Sequence, residues 1–194
     1  LIYDTKFDTK KRLLAEVENL KSLAITHLSA YSLTLEENTP FAGKKSYKKD
    51  SDTLAKFMIE QTQRAGFKQY EISNFGEICR HNLGYWQGKN YLGVGAFSVG
   101  FVDGIRYYAK SSIDAYITQP THREREILSQ SELAREHIFL GLRSIVGVDA
   151  GRLNESQKKR ANLLVENEKL LFKNGKFYNP NFLLSDEIAL FIEG

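Results

Sequence analysis

The sequence predicts an α/β protein, from its composition, one apolar segment and the order of its elements. With 42% hydrophobic and 26% charged residues among 194, the chain can bury a core and is typical of a globular protein. A mostly apolar run at residues 25–33 lacks clean polar alternation, which is typical of a strand buried on both faces. Helix-like segments flank this run, so a strand–helix–strand–helix–strand order predicts right-handed crossovers and a parallel sheet.

The first half of the chain is predicted to begin with a short strand at residues 1–3. Because the sequence starts within that strand, we expect it to be a piece of a longer protein. Asp8 is expected to cap the first helix. Apolar residues recur in that helix at helical spacing: Leu13, Val17, Leu20 and Ala24. The second helix has one largely apolar side: Leu54, Phe57, Met58, Gln61 and Ala65. Gly66 is expected to end it, and a strand is predicted at residues 69–72, with Glu71 as a solvated or capping carboxylate.

The second half of the chain combines turn signals with helices. Asp103 and Gly104 predict a hairpin turn, and Ser129 with Glu132 predicts a capping box at the start of a long helix. His137 falls on the largely apolar face of that helix. We therefore expect it to be a core histidine whose hydrogen bonds are satisfied.

The end of the chain is predicted to be a winged-helix-like module. A helix at about residues 155–171 precedes a hairpin around Asn174 and Gly175. Ser185 is then expected to cap a last short helix through residue 192. With the boundary between Ala109 and Ser129, the predicted domains are residues 1–110 and 111–194.

Charge and cysteine content exclude several classes of function. The net charge of +3 is mild, and short basic runs such as residues 158–160 are typical of a solvated surface, so nucleic-acid binding is not favoured. The single cysteine, Cys79, excludes an internal disulfide and favours a reducing compartment, which we take to be the cytoplasm. It also excludes an iron–sulfur site built only from this chain's thiolates. No apolar run approaches the ~20 residues that a membrane span requires.

The segment HNLGYW at residues 81–86 holds the only tryptophan and one of four histidines. In what is predicted to be a loop, its imidazole, amide, phenol and indole could ligate or stack on a flat, metal-containing ligand. Alternatively, Tyr85 and Trp86 could be core aromatics while His81 and Asn82 tie down the loop. The residues alone favour this second interpretation and leave the first one open. Nearby, the run YLGVGA at residues 91–96 contains small residues, Gly93 and Gly95, that let a backbone or ligand approach closely.

Ordered motifs make the sequence resemble one known family. They are YSLTLEENTPF at 31–41, QYEISNF at 69–75, YLGVGA at 91–96, LGLR at 140–143 and GVD at 147–149. The sequence is similar, along nearly its whole length, to the oxygen-independent coproporphyrinogen III oxidase-like radical-SAM proteins, HemN and HemW. Within them, HNLGYW matches the His-Asn-x-x-Tyr-Trp signature of the HemW branch.

The resemblance implies a fold and a ligand. The fold would be the closing part of a partial (β/α)6 barrel with a C-terminal winged-helix-like domain. The ligand would be heme, bound by a chaperone and passed to an acceptor protein. His81 would ligate the heme iron, with Cys79 as a rival, and Arg80 would lie near a propionate. The heme-binding residues would be His81, Asn82, Tyr85 and Trp86, with Gly93 and Gly95 on the ligand side of the barrel.

The family's [4Fe–4S] cluster and S-adenosylmethionine would bind only in the full-length protein, because the three-cysteine loop is missing from this chain. We therefore expect this chain by itself to have no radical chemistry. The alternative is a coproporphyrinogen III oxidase that acts in porphyrin biosynthesis. The sequence departs from the family at residues 4–7 and at Val99, where many HemW proteins have a histidine. A truncated parallel sheet would also leave an unpaired edge, so self-association stays open.

Overall fold

The computed structural model describes residues 1–194, which form two compact units, residues 1–79 and 80–194. Helices and short strands alternate in both units, as an α/β class requires. The boundary between these compact units does not test the domain division predicted at residue 110, which stays a prediction. No helix in the chain has the length and apolar character needed to cross a membrane.

The first unit contains two helices and four very short strands. In chain order they are β1 (Ile2–Tyr3), α1 (Lys10–Leu20), β2 (His27–Ser29), β3 (Tyr31–Ser32), α2 (Asp52–Arg64) and β4 (Asn74–Gly76). β1 pairs with β3 in parallel, whereas β2 pairs with β4 in an antiparallel ladder. The prediction of one strand over residues 25–33 is therefore wrong, because the run is divided between two sheets.

The strand predicted at residues 69–72 is also displaced, to β4. The reason is a local turn: the Gln69 side-chain amide donates to the carbonyl of Ile72, and the Ser73 amide donates to the Glu71 carboxylate. The chain reverses there, so Gln69 bridges Phe75 in antiparallel fashion and β4 runs back along β2. Glu71 is buried, which contradicts the solvated carboxylate, although it does accept a local backbone hydrogen bond as a capping group would.

The first helix is capped one residue later than predicted. The Thr9 hydroxyl accepts from the amide of Arg12, while the Asp8 carboxylate accepts from the amide and hydroxyl of Thr5. A threonine hydroxyl at this position satisfies one of the four free N–H groups at a helix start. α1 ends at Leu20, so Ala24 lies beyond it. Gly66 follows α2 with a φ of 97°, which glycine adopts readily, and this ending was predicted.

Both helices of the first unit contribute to one core. Apolar side chains from α1 and α2 pack with the short strands. The buried members are Tyr3, Leu13, Val17, Leu28, Ala30, Leu54, Met58 and Phe75.

The second unit contains five helices and six strands. They are α3 (Arg80–Trp86), β5 (Val99–Val102), β6 (Ile105–Tyr108), α4 (Ile113–Thr118), β7 (Glu124–Ile127), α5 (Gln130–Leu142), β8 (Val148–Asp149), α6 (Glu155–Glu166), β9 (Leu171–Lys173), β10 (Lys176–Tyr178) and α7 (Ser185–Glu193). β5, β6 and β7 form an antiparallel sheet, and β8, β10 and β9 form another. The predicted turn at Asp103 and Gly104 is confirmed. Their φ angles of 50° and 81° are both positive, as the two central residues of a type I′ hairpin turn require.

The long helix α5 begins as predicted. The Ser129 hydroxyl accepts from the Glu132 amide, and the Glu132 carboxylate accepts from the Ser129 amide, which completes the capping box. α6 ends at Glu166, earlier than predicted, and Glu168 adopts a φ of 58° that no helix permits.

The last elements fold back on α5. The hairpin at Asn174 and Gly175 is confirmed, with both residues at positive φ. Ser185 does not cap α7, because its hydroxyl donates to the carbonyls of Leu142 and Phe182 and so joins α7 to the end of α5. The three helices and β8–β10 enclose one core: Ile138, Leu142, Val148, Leu153, Ala161, Leu170, Phe177, Ile188, Ala189 and Ile192.

Candidate functional site

The HNLGYW segment lies on the short helix α3 and not in the predicted loop. Helical spacing puts His81 and Tyr85 on the same side of this helix, one turn apart. No close contact requires a glycine at position 84, because a methyl group there would meet no atom within 4 Å. After Trp86 the chain leaves the helix through Gly88, which has a φ of 64°. The segment is therefore a defined surface and not an irregular connection.

Four rings form a chain of contacts that starts on α3. His81 and Tyr85 meet edge to face with centroids 4.9 Å apart, and Tyr85 meets Tyr91 edge to face at 4.6 Å. Tyr91 lies 6.2 Å from Phe101 on β5, and the two residues exchange both backbone hydrogen bonds at 2.8 Å. Aromatic pairs prefer such edge-to-face geometry. This ring series fixes α3 against the sheet, and burial raises the pKa of Tyr91.

A groove of about 900 Å³ opens beside these rings, within the second unit. Its walls come from the end of α3, residues 87–91, the β5–β6 hairpin and one side of α5. Aromatic side chains supply much of the lining: Tyr85, Trp86, Tyr91, Phe101 and Phe139. The volume falls within the range of about 300–1,000 Å³ that is usual for small-molecule sites. The groove can therefore receive a flat apolar ligand of considerable size.

The rim of the groove is held by a reciprocal pair of hydrogen bonds. The Asn90 amide donates to the Asp103 carboxylate at 2.8 Å, and the Asp103 backbone amide donates to the Asn90 oxygen at 3.0 Å. Arg106 on β6 pairs with Glu136 on α5 and with Glu126 on β7. These contacts tie the hairpin to both of its neighbours, so two walls of the groove keep a fixed separation.

His137 lies half-buried in the lining of the groove and not in the core as predicted, although it is hydrogen-bonded as expected. Its Nε2 accepts from the backbone amide of Asp149 at 2.8 Å. Burial, together with the positive charges of Arg152 and Lys176, lowers the pKa of His137 to about 4. The imidazole is thus neutral near pH 7, and because Nε2 is occupied it is not free to bind a metal ion.

The structure brings only part of the predicted heme site to the groove. Tyr85 and Trp86 line it, whereas His81 and Asn82 lie outside the lining. His81 is exposed and Asn82 is half-buried. Arg80, at the start of α3, is exposed as well.

The glycine pair has a backbone role. A Cβ on Gly93 would lie 2.5 Å from the carbonyl oxygen of Val99, so only glycine permits this close approach. Gly95 has a φ of 101°, and its amide donates to the Tyr116 hydroxyl at 3.2 Å. Neither glycine lines the groove.

Cys79 belongs to the first unit, where its amide donates to the Tyr70 hydroxyl at 3.2 Å. Its side chain is half-buried and makes no disulfide. No group of three or more His, Cys, Asp or Glu residues in the chain is arranged to hold a metal ion. The residues of this chain therefore do not fit an iron–sulfur cluster, because the chain has one cysteine and a cluster needs roughly three or four thiolates.

Sequence reasoning missed most of the groove residues, among them the cations Lys89 and Arg152. Lys89 follows α3, and Arg152 ends a one-turn 3-10 helix (Ala150–Arg152) that follows β8. No spacing or motif relates them, because only the fold brings them to one groove. The signal that could have found Lys89 is its position just beyond Trp86.

Comparisons with known proteins relate the chain to a group of bacterial and mitochondrial proteins. No protein-family model matches it. It is 32% identical over 162 residues to "Heme chaperone HemW" of Lactococcus lactis subsp. lactis, covering 76% of this chain and 42% of that protein. It is 30% identical over 177 residues to the Mycobacterium tuberculosis protein of the same name, covering 83% and 45%. The Danio rerio "Radical S-adenosyl methionine domain-containing protein 1, mitochondrial" is 32% identical over 156 residues, covering 69% and 35%. The chain spans less than half the length of these relatives.

One solved structure has a similar fold over almost the entire chain. It is described as "Coproporphyrinogen III oxidase (HemN) from Escherichia coli is a Radical SAM enzyme", with a TM-score of 0.72, 13% identity, and coverage of 99% of this chain and 53% of that one. At this identity the likeness concerns the fold alone. It confirms the fold class predicted from the sequence.

Proposed function

Because the chain belongs to the HemW/HemN-like radical-SAM family and matches the C-terminal portion of its members, we propose that it is the heme-binding part of a heme chaperone. In this proposal the complete protein binds heme as cargo and passes it to an acceptor protein. The observation that carries the proposal is the lining of a large groove by Tyr85 and Trp86, the two aromatic rings that end the HNLGYW segment.

The chemistry of the groove matches the chemistry of heme. A porphyrin is a flat aromatic body that packs well against phenol, indole and phenyl rings. Its acidic edge suits cationic side chains, of which the groove has four: Lys89, Arg106, Arg143 and Arg152. Both halves of the ligand therefore have a counterpart in the lining.

We propose His81 as the axial ligand of the heme iron. A neutral imidazole is a common heme-iron ligand, and His81 is exposed on α3 one turn before Tyr85. His137, the other histidine of this region, has its Nε2 engaged by Asp149. Asn82 would orient the ligand, and Cys79 is the competing ligand, since thiolates also bind heme iron.

The radical-SAM cofactors belong to the complete protein in this proposal. The [4Fe–4S] cluster and S-adenosylmethionine would be bound by a part of the protein that carries the cysteines this chain lacks. A reducing compartment such as the cytoplasm suits a chain with one free thiol. The acceptor protein would receive heme from the exposed side of the groove.

Oxidative decarboxylation of coproporphyrinogen III is the second candidate function. It relates to this chain only through a solved structure of 13% identity, which concerns the fold and not the activity. We therefore rank it below heme transfer. Turnover of coproporphyrinogen by the complete protein with S-adenosylmethionine, without air, would reverse that order.

The test is a titration of the 194-residue chain with hemin, followed by the Soret band. We expect saturable binding by the parent chain, and a weaker, shifted Soret band for His81→Ala but not for Cys79→Ala. His122→Ala is the matched control, because His122 is also exposed but does not lie on α3. A His81→Ala spectrum and affinity equal to the parent's would exclude His81 as the ligand. A parent chain that does not bind hemin saturably would exclude the proposed function.

A further inference from the structure

The charges that line the groove are unevenly compensated. Arg106 pairs with Glu136 and Glu126, and Arg143 donates twice to Asp186 at 2.9 and 2.6 Å. Lys89 and Arg152, by contrast, line the groove without an ion pair. The groove therefore contains two cations that make no ion pair with a carboxylate.

The acidic residues of the lining are already engaged. Asp103 accepts from the side-chain amide of Asn90, and Glu136 is paired with Arg106. Neither carboxylate forms an ion pair with Lys89 or Arg152. The lining thus has four cations, Lys89, Arg106, Arg143 and Arg152, against the two carboxylates, so it attracts a ligand that carries negative charge.

Arg152 is held in place by its backbone. The Asp149 carboxylate accepts from the Gly151 amide at 2.8 Å and so caps the short 3-10 helix that Arg152 ends. The next residue, Leu153, is buried in the C-terminal core. The guanidinium thus extends from an anchored turn beside His137, whose neutral ring adds no competing charge. Because its planar fork is preorganised, a guanidinium loses little freedom when it binds a planar carboxylate in bidentate fashion.

We propose that Arg152 and Lys89 bind the two carboxylates of a flat aromatic dianion whose rings lie against Tyr85 and Trp86. This inference rests on the proposed function, in which the dianion is heme and the carboxylates are its propionates. It assigns the acidic edge of the cargo to two residues outside the HNLGYW segment. The segment would then contribute the apolar wall, and the orientation of the porphyrin would be set by the cations.

The test compares hemin with hemin dimethyl ester, whose carboxylates are masked while its ring and iron are unchanged. The variants are Arg152→Gln and Lys89→Gln, and the control is Lys159→Gln, an exposed cation on α6 outside the groove. We expect each groove variant to bind hemin about tenfold more weakly, as the loss of one charge-assisted hydrogen bond implies. Binding of the dimethyl ester should be equal in all four proteins.

Three results would overturn the inference. If the groove variants bind hemin as tightly as the parent does, the carboxylates lie elsewhere and heme binding itself still stands. If they lose hemin and dimethyl ester equally, the substitutions act through packing and not through charge. Circular dichroism of each variant checks that the fold is retained. A parent chain that binds neither compound saturably would exclude the proposed function as well.

Discussion

The C-terminal core and the aromatic groove lie in the same unit and are built in opposite ways. Core residues such as Ile138, Phe177 and Ile192 are fully buried. Around the groove and the glycine-rich loop before β5, large apolar residues face outward instead: Leu92 is 83% exposed and Val94 is 86% exposed. Exposed apolar groups of this size commonly mark surfaces that receive a ligand or another chain. One region thus buries its apolar residues, which stabilises the fold, and in the proposed function the other exposes them for recognition.

Polar groups show the same contrast. In the core, the Asn179 amide donates to the carbonyl of Leu142, and Arg160 donates to the carbonyls of Ile192 and Glu193. Almost every group there has a partner inside the protein. At the groove, Lys89 and Arg152 have none. Substitutions in the core should therefore change folding, and substitutions at the groove should change binding.

The largest effect is expected from Phe177→Ala in the core. This change removes a fully buried ring and should lower the free energy of unfolding by about 3–5 kcal/mol. Phe97→Ala is the matched control, because Phe97 is exposed in the loop before β5 and should change stability by less than about 0.5 kcal/mol. Urea unfolding followed by circular dichroism measures both. Equal losses in the two variants would mean that the loop is as closely packed as the core.

A pH dependence tests the point where the core meets the groove, at His137. Its folded pKa of about 4 lies below the ordinary 6.5, so the unfolded state binds a proton first as the pH falls. This contribution to the free energy of unfolding should therefore be fully present above pH 6.5 and be lost towards pH 4. The loss should be smaller than the ~3 kcal/mol of the full shift, because solvent screens the half-buried ring.

The comparison protein for this titration is His137→Gln, which keeps a hydrogen-bond acceptor and cannot titrate. Carboxylates titrate in both proteins, so the difference between the two pH profiles isolates the histidine. Parallel profiles between pH 6.5 and 4 would contradict a neutral, half-buried imidazole.

The smallest expected effects come from two glycines beside the groove, and they have opposite signs. Gly93→Ala forces a methyl group against the carbonyl of Val99 and should destabilise the unit by about 1–3 kcal/mol. Gly84→Ala meets open space on α3 and should stabilise that helix by about 0.5–1 kcal/mol. Thermal unfolding measures both changes. A stabilising Gly93→Ala would show that the loop is looser than the core after all.

Local chemistry explains what the sequence could predict. The turn at Asp103 and Gly104 and the capping box of Ser129 and Glu132 each depend on residues at most three positions apart. Their hydrogen bonds and φ angles are determined within a few residues, so the pattern is sufficient. The fold class and the family resemblance followed from longer ordered patterns and are confirmed.

The wrong predictions concern features that are determined by contacts between distant segments. The run at 25–33 could not reveal that β2 pairs with β4 while β3 pairs with β1. α3 has only seven residues and contains a glycine, which is too short for a helical period to be recognised. The groove depends on α3, the β5–β6 hairpin, α5 and the turn that ends at Arg152. These segments come together only in the folded chain. Of the residues predicted to bind heme, Tyr85 and Trp86 line the groove, whereas none of the groove's cations was predicted from the sequence.

The position of Trp86 has an optical consequence. It is the only indole in the chain and it lines the groove, so emission excited selectively above the tyrosine band comes from one wall of one site. An absorbing chromophore bound against that wall would accept the excitation energy and quench the Trp86 fluorescence. A surface-adsorbed chromophore elsewhere would quench far less efficiently, because energy transfer falls steeply with separation. The fluorescence of Trp86 is thus an intrinsic, distance-sensitive measure of where an absorbing ligand binds.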